Sequence, residues 1–485
     1  MTPTDSRKTV AIVGGGLAGL AAGCALSDAG FEVTVYERRP YLGGRASSYE
    51  HPGTGEVVDN CQHVLLGCCT SLIDLYRRIG VEDRIRWYDR LTFLEPGGRA
   101  SEIAMSGLPA PMHTAPSFLR ARMLSLRDKL AIARAMLALM PALPPDDGRS
   151  FLEWLKQHGQ TERAIERFWK VILVSALNED LDRVSVPNAA LVFRESFLKS
   201  PQAGRMGVPT VPLTELYGRA GDYICARGGH VELRATIEAL VPHPRAASFG
   251  TGVGQPHNRF DTAVKLCVRD SSGTREVLPD FTIVAVPFDA VLRLLPDTSN
   301  ARPLRELLGR FETSPITGVH LWFDREITDL EHAVLLDRTI QWMFHKSKIQ
   351  DRSRLDLGSY VELVISASKS LLNKSRSEII DLALRELADY FPAVRESKLL
   401  KSTVIKEVHA TFAPLPGSDS YRPSSETPWP QLFLAGDWTA TGWPATMESA
   451  VRSGYLAAQA LCHNAAIERN FVALDIPATG LMRFF

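Results

Sequence analysis

The stretch 8-KTVAIVGGGLAGLAAGCALSDAGFEVTVYE-37 decides how the rest of the chain is read. A short apolar run, residues 10–13, enters Gly14-Gly15-Gly16-Leu17-Ala18-Gly19. Small residues at 20–28 then read as a helix that Gly30 ends. Residues 32–36 read as a second strand closing on Glu37. Strand, glycine turn, helix, strand and acid in that order form a βαβ dinucleotide fingerprint. Gly14 permits the tight turn, Gly16 lets a pyrophosphate approach the backbone, and Gly19 lets the helix pack closely. Leu17 and Ala18 lie at the helix N-terminus, where free N–H groups and the positive dipole end favour phosphate. Glu37 follows at about the 20-residue spacing that brings a carboxylate to a ribose hydroxyl. The same run behind Lys8 has the look of a signal peptide or a membrane span. Three consecutive glycines are poor helix formers and the second strand arrives on schedule, so the fingerprint reading is preferred.

The chain has 485 residues, enough for two domains or more around a sizeable core. Lys plus Arg (55) balance Asp plus Glu (55), which gives no argument for nucleic acid. Seven cysteines, with no C-x-x-C pair, read as free thiols rather than a disulfide framework or a metal site. No other segment is apolar and long enough to span a bilayer, and a cytoplasmic location is expected.

Arg38 follows the acid directly and joins the candidate cofactor residues. Gly43-Gly44-Arg45 then offers a backbone fold over the pyrophosphate and a guanidinium beside it. The alternative is an ordinary glycine turn with a surface arginine. The extension favours FAD over NAD, being a habit of flavoproteins of the glutathione-reductase fold type. In 57-VVDNCQHVLLG-67, polar residues interrupt an apolar run, so Asn60, Gln62 and His63 form either a satisfied network or a site. Residues 117–140 mix apolar and basic side chains, with Ser125 and Asp128 as a helix start. They suit a membrane surface or, equally, a core helix with a solvated basic edge. Residues 150–158, 161–177, 213–226 and 375–390 read as helices. Residues 280–287, including Val286, and residues 432–438, ending in a small residue, Gly and Asp, read as buried strands, and 242–258 as a loop. Gly436-Asp437 ends the last strand. Thr446 and Met447 open a small-residue helix that can aim N–H groups at flavin or phosphate.

Together these blocks resemble the flavin-dependent amine oxidase and phytoene desaturase superfamily over nearly the whole chain. Within it, 59-DNCQHVLLGCC-69 and 436-GDWTATGWPATME-448 are similar to the squalene-associated flavoproteins, the hydroxysqualene dehydroxylase family. The resemblance implies an α/β fold with a Rossmann-like FAD-binding domain of glutathione-reductase/amine-oxidase type and an inserted α+β substrate domain. It implies a discontinuous FAD domain (1–90, 212–295, 425–465), a substrate domain (91–211, 296–424) and a tail (466–485). The backbone at Ile237 is expected to pass the adenine. Trp169, Asn178, Trp342, Phe344 and Trp443 are expected to line the substrate or flavin ring. The implied reaction is reduction of hydroxysqualene to squalene, by hydride transfer from reduced FAD to an allylic cation. His63 is expected to be the acid, or to hold the water that is, with Gln62 and Asn60 orienting it. Implied partners are an inner membrane surface and the upstream squalene-pathway synthases. The rival is an oxidative carotenoid-type desaturase. An amine or protoporphyrinogen oxidase, or a flavin-free binding protein of the same architecture, fits less well.

Overall fold

Five strands run parallel in the computed structural model, which describes residues 7–244, 262–296, 298–350 and 358–485. Their order is His230–Leu233, Glu32–Glu37, Thr9–Val13, Phe281–Val284, Leu432–Leu434. The middle strand, Thr9–Val13, is apolar on both faces beyond Thr9, as a strand covered on both sides must be. The helix Leu17–Asp28 begins earlier than the residue pattern suggests, because Gly16 is extended and serves as its N-cap. Nearly every residue of that helix is buried, since the long helix Met447–Asn464 covers its other side. Glycine allows both contacts. A Cβ on Gly19 would overlap the Gly14 carbonyl oxygen, and one on Gly454 would overlap the Ala18 carbonyl oxygen.

A second, seven-stranded sheet has the order Leu399–Phe412, Thr313–Phe323, Tyr360–Ser366, Trp342–His345, His332–Leu335, Arg90–Leu94, Ala100–Ala104. Alternation divides its two faces. Val319, Leu321, Val361, Leu363 and Met343 pack on helix Arg376–Tyr390, which starts at a Ser375–Glu378 capping box. Phe344 and Val364 face Cys61, Met206 and Val208 instead. The long strand Leu399–Phe412 is hard to see in its sequence. It is an edge strand, so charged residues such as Lys401 and Glu407 interrupt its apolar alternation.

A helical layer from residues 115 to 198 has its own core around Phe151, Trp169 and Phe193. Helix Leu126–Leu139 starts at the Ser125–Asp128 capping box, as its sequence suggests. The single helix expected over 161–177 is interrupted by a wider turn at Ile165–Trp169 and ends at Asn178, whose φ is 53°. Residues 242–244 end a strand, Thr236–Pro244, that pairs with Thr262–Asp270. Residues 245–258 of the expected loop lie outside the described residues.

The helix contact at Gly454 is testable. Gly454→Val should cost about 1–3 kcal/mol through overpacking, read as a lowered unfolding midpoint. Gly218→Ala, whose Cβ meets open space, should leave that midpoint unchanged or raise it.

Candidate active site

Three loops meet at the C-terminal edge of the parallel sheet, where such sheets bind ligands. They are stitched by backbone bonds from Gly14 N to Tyr36 O (2.9 Å), Ala285 N to Val13 O (2.8 Å) and Ala435 N to Val284 O (3.0 Å). The Gly43–Gly44 turn folds back on the first loop, with Gly43 N donating to Gly15 O (2.9 Å). Both glycines have positive φ, and a Cβ on Gly44 would come within 2.9 Å of Gly16 Cα. Helix Leu17–Asp28 carries no side-chain cap, so its first N–H groups at Leu17, Ala18 and Gly19 face this slot. A backbone-walled slot, an uncapped helix N-terminus and the nearby Arg45 guanidinium fit a dinucleotide pyrophosphate.

Glu37 is bonded first to the chain itself. Its Oε2 accepts from Gly15 N and its Oε1 from Arg39 N, both at 2.8 Å. Each oxygen keeps capacity for a ribose hydroxyl. Arg38 is exposed; Arg39 braces the turn instead, donating to Gly44 O at 2.9 Å. Ile237 is buried at a bulge in its strand. Arg45 donates to Asp437 Oδ1 and to Ala410 O, both at 2.6 Å. Burial would lower the Arg45 pKa, but Asp437 outweighs it and holds the guanidinium firmly charged. The Asp437 carbonyl accepts from Arg422 (3.0 Å) and from Ser449 Oγ (3.1 Å). Arg422 was not legible in the sequence, where it sits in an ordinary turn-rich stretch. Trp438 Nε1 donates to Val286 O (3.0 Å), which ties two of the loops together. Thr446 caps helix Met447–Asn464 through Ser449 N (3.2 Å), and Met447 Sδ accepts from Tyr217 (3.3 Å).

The segment 59–63 joins this cradle to the large sheet. Asn60 Nδ2 donates to Arg45 O and to Glu407 Oε2, each at 3.2 Å. Gln62 Nε2 donates to the His63 carbonyl (3.0 Å), and its Oε1 accepts from Lys346 Nζ (2.7 Å). Neither side chain has a hydrogen bond to the imidazole; Gln62 reaches His63 only through its backbone carbonyl, and Asn60 bonds the Arg45 turn and Glu407 instead. The ring is held instead by the Cys61 carbonyl, 2.7 Å from Nδ1. Burial lowers the His63 pKa, with Cys61 opposing in part. The ring is therefore neutral near pH 7, with an N–H on Nδ1 and a lone pair on Nε2. Of the two expected roles, acid or holder of the water that is, a lone pair on Nε2 suits the second.

Trp342 is half-buried, stacks on Phe344 (5.5 Å between centroids) and donates to Ser175 Oγ (2.7 Å). Half-buried Val64, Leu66, Leu91 and Ile316 surround the same cluster. Trp443 packs on Cys68 and Ala203, with Arg452 5.2 Å over its ring. Two expected lining residues are structural. Trp169 is wholly buried against Phe151 and Phe193 and donates to Gln160. Asn178 spends its amide on Ser314 O, Thr411 Oγ1 and Ala367 N. The sequence reading also missed Lys346 and Glu362, charged residues fully buried behind Gln62.

The family model "Flavin containing amine oxidoreductase" matches residues 17–462. A 15-cis-phytoene desaturase of Synechococcus elongatus is 28% identical over 473 residues, covering 93% of this chain and 95% of the relative. A zeta-carotene desaturase of Synechocystis is 27% identical over 492 residues, covering 94% and 98%. Among solved structures, an oxidoreductase from Methanosarcina mazei superposes with a TM-score of 0.68 at 17% identity, covering 92% and 98%. Cyclohexylamine oxidase from Brevibacterium oxydans gives 0.65 at 17%, covering 95% and 100%. These solved structures share the fold.

Gly44→Val adds a Cβ against Gly16 at a φ that disfavours side chains. The variant should keep its secondary structure by circular dichroism. It should bind FAD about tenfold more weakly or worse, read from the flavin absorbance retained through gel filtration.

Proposed function

The chain belongs to the flavin containing amine oxidoreductase family, and on that premise we propose that its substrate is a long polyisoprenoid. The specific reading is reductive dehydroxylation of hydroxysqualene to squalene. FAD is the cofactor of this oxidoreductase. One observation carries the substrate class: the relatives aligned over nearly the full length are named as phytoene and zeta-carotene desaturases. The apolar surroundings of Trp342, Phe344 and Val364 suit the same class. The dehydroxylation reading is supported by residues 59–69 and 436–448, which resemble the squalene-associated flavoproteins. The relatives' names favour a second reading, oxidative desaturation of a carotene precursor.

The reaction replaces a hydroxyl by hydrogen: one hydride and one proton enter, and water leaves. Bound FAD supplies the hydride chemistry. The departing hydroxyl needs a proton, because hydroxide is a poor leaving group. His63, with its Nδ1–H committed to Cys61 O, offers only the Nε2 lone pair, so it holds a water whose other O–H faces the departing hydroxyl, and the proton enters from solvent through that water. Asn60 couples this segment to the Arg45 turn, so cradle and hydroxyl site are held in register.

A membrane is the proposed source of such a substrate. Leu126, Leu130 and Leu137 are 64–69% exposed on the face of their helix opposite buried Ile132, Ala135 and Leu139, and Leu119, 62% exposed, lies beside them on the preceding helix Ala115–Arg120. Arg120, Arg122, Arg127, Lys129 and Arg134 lie among them, and the single acid, Asp128, is buried as a cap. The exposed Leu481, Phe484 and Phe485 lie near the C-terminal end of this helix, where Arg194 bonds both Phe485 O and Leu139 O. An apolar stripe flanked by cations suits an anionic lipid surface. No helix among the described residues is long and apolar enough to cross a membrane.

Two experiments follow. The FAD-loaded protein should convert hydroxysqualene to squalene with dithionite as reductant, and should leave phytoene unchanged with a quinone as oxidant. The opposite pattern would move the assignment to the desaturase reading. Leu126→Asp/Leu130→Asp/Leu137→Asp should weaken co-sedimentation with phosphatidylglycerol vesicles on the order of tenfold or more, with flavin content unchanged. Equal vesicle binding would sink the membrane face.

A further inference from the structure

One ammonium ties the large sheet to the segment that carries His63. Lys346 opens the short helix Lys346–Ile349 and is 1% exposed. Its Nζ donates to Asp59 Oδ2 (2.5 Å) and to Gln62 Oε1 (2.7 Å). Gln62 passes the constraint on, donating to the His63 carbonyl. The peptide at 61–63 is therefore fixed from below by Lys346, and the imidazole is aimed by the Cys61 carbonyl of the same peptide.

Glu362 is the third member of the cluster. It lies on strand Tyr360–Ser366, opposite His320 and Phe344 on the neighbouring strands. Its carboxyl lies 3.5 Å from Lys346 Nζ and beside the Gln62 N–H, yet among the described residues neither oxygen has a hydrogen bond of good geometry. A sealed site holds two carboxyls and one ammonium, so charge balance leaves one carboxyl neutral. Geometry says which. Asp59 accepts from Lys346, Ser48 Oγ (2.5 Å), Leu213 N (3.2 Å) and Gln350 Nε2 (3.4 Å). Burial would raise Asp59, but Lys346 and these donors hold it below the usual range. Burial pushes the Glu362 carboxyl up to about 7, Lys346 opposing, Asp59 adding to the rise and the Gln62 N–H opposing more weakly. The other titratable groups facing Glu362 are the Cys61 thiol, raised well above its usual value by burial, and His320, whose Nδ1 pairs with the Tyr360 hydroxyl.

We propose that Lys346 is the positioning residue for His63, and that Glu362 governs it: protonated, it leaves the ammonium on Asp59 and Gln62; ionised, it draws the ammonium away and loosens the segment. The consequence for turnover rests on the role of His63 in the proposed reaction; the consequence for the segment does not. Because the folded-state pKa of Glu362 is raised, the folded chain binds its proton more tightly than the unfolded chain. Stability therefore falls as pH rises from the unfolded value toward about 7, and Glu362→Gln removes that loss.

The test uses FAD-loaded wild type, Glu362→Gln and Lys346→Met. Amide hydrogen exchange in residues 60–66 is measured at about pH 6 and about pH 8.5, corrected for intrinsic base catalysis. Wild type should exchange roughly fivefold faster or more at the higher pH, whereas Glu362→Gln should not respond. Lys346→Met should exchange fast at both. With hydroxysqualene, kcat of wild type should fall along an alkaline limb that Glu362→Gln lacks, with KM little changed. If exchange in wild type and in Glu362→Gln responds identically to pH, the proposal is overturned. Should Lys346→Met fail to fold, the Glu362→Gln comparison still decides. The exchange readout needs no substrate, so a failure of the hydroxysqualene reading stays distinguishable from a failure of this one.

Discussion

Backbone meeting backbone at glycine is the constraint on which the structure depends. Gly19 sets the first helix against the Gly14 carbonyl, and Gly454 sets the last long helix against Ala18. The second contact joins residues from opposite ends of the chain. It brings the uncapped N-terminus of one helix and the loop at Asp437 to the same sheet edge. A side chain at Gly19 would push the first helix off its loop, and one at Gly454 would hold the two helices apart. The rest of the chain, including the large sheet, is placed relative to that edge.

Between cradle and large sheet runs a chain of polar contacts in otherwise apolar surroundings. It passes from Asp437 through Arg45 to Asn60, and separately from Lys346 through Gln62 to His63. Buried polar groups specify a unique arrangement only when they are satisfied. Most members here are, and Glu362, 3.5 Å from Lys346 with no hydrogen bond of good geometry, is the least satisfied of the groups beside them. The exception coincides with the segment that the sequence already marks as chemically unusual.

The βαβ unit was legible because its rules are local. Three glycines, a small-residue helix and an acid at fixed spacing specify backbone geometry directly. The capping boxes at Ser125 and Ser375 were legible for the same reason. The catalytic neighbourhood was legible only as a composition, a polar cluster in an apolar run. Which atoms meet depended on Lys346, at the start of a short helix, and Glu362, on the strand Tyr360–Ser366, nearly three hundred residues further on, and nothing in the sequence marks either charge as buried. Trp169 and Asn178 misled because an aromatic or an amide in an apolar helix reads alike whether it faces a substrate or a core. The edge strand Leu399–Phe412 escaped because exposure on one side breaks the alternation by which strands are recognised.

The central claim is that this flavoprotein spends reduced flavin on a hydroxylated polyisoprenoid. The most direct measurement is an anaerobic stoichiometry. The FAD-loaded protein is photoreduced, excess reductant is removed, and hydroxysqualene is added while the flavin absorbance is followed and lipids are extracted. Recovery of oxidised flavin in a one-to-one ratio with squalene formed is the result the account predicts. Flavin that stays reduced, with hydroxysqualene recovered unchanged, would contradict it.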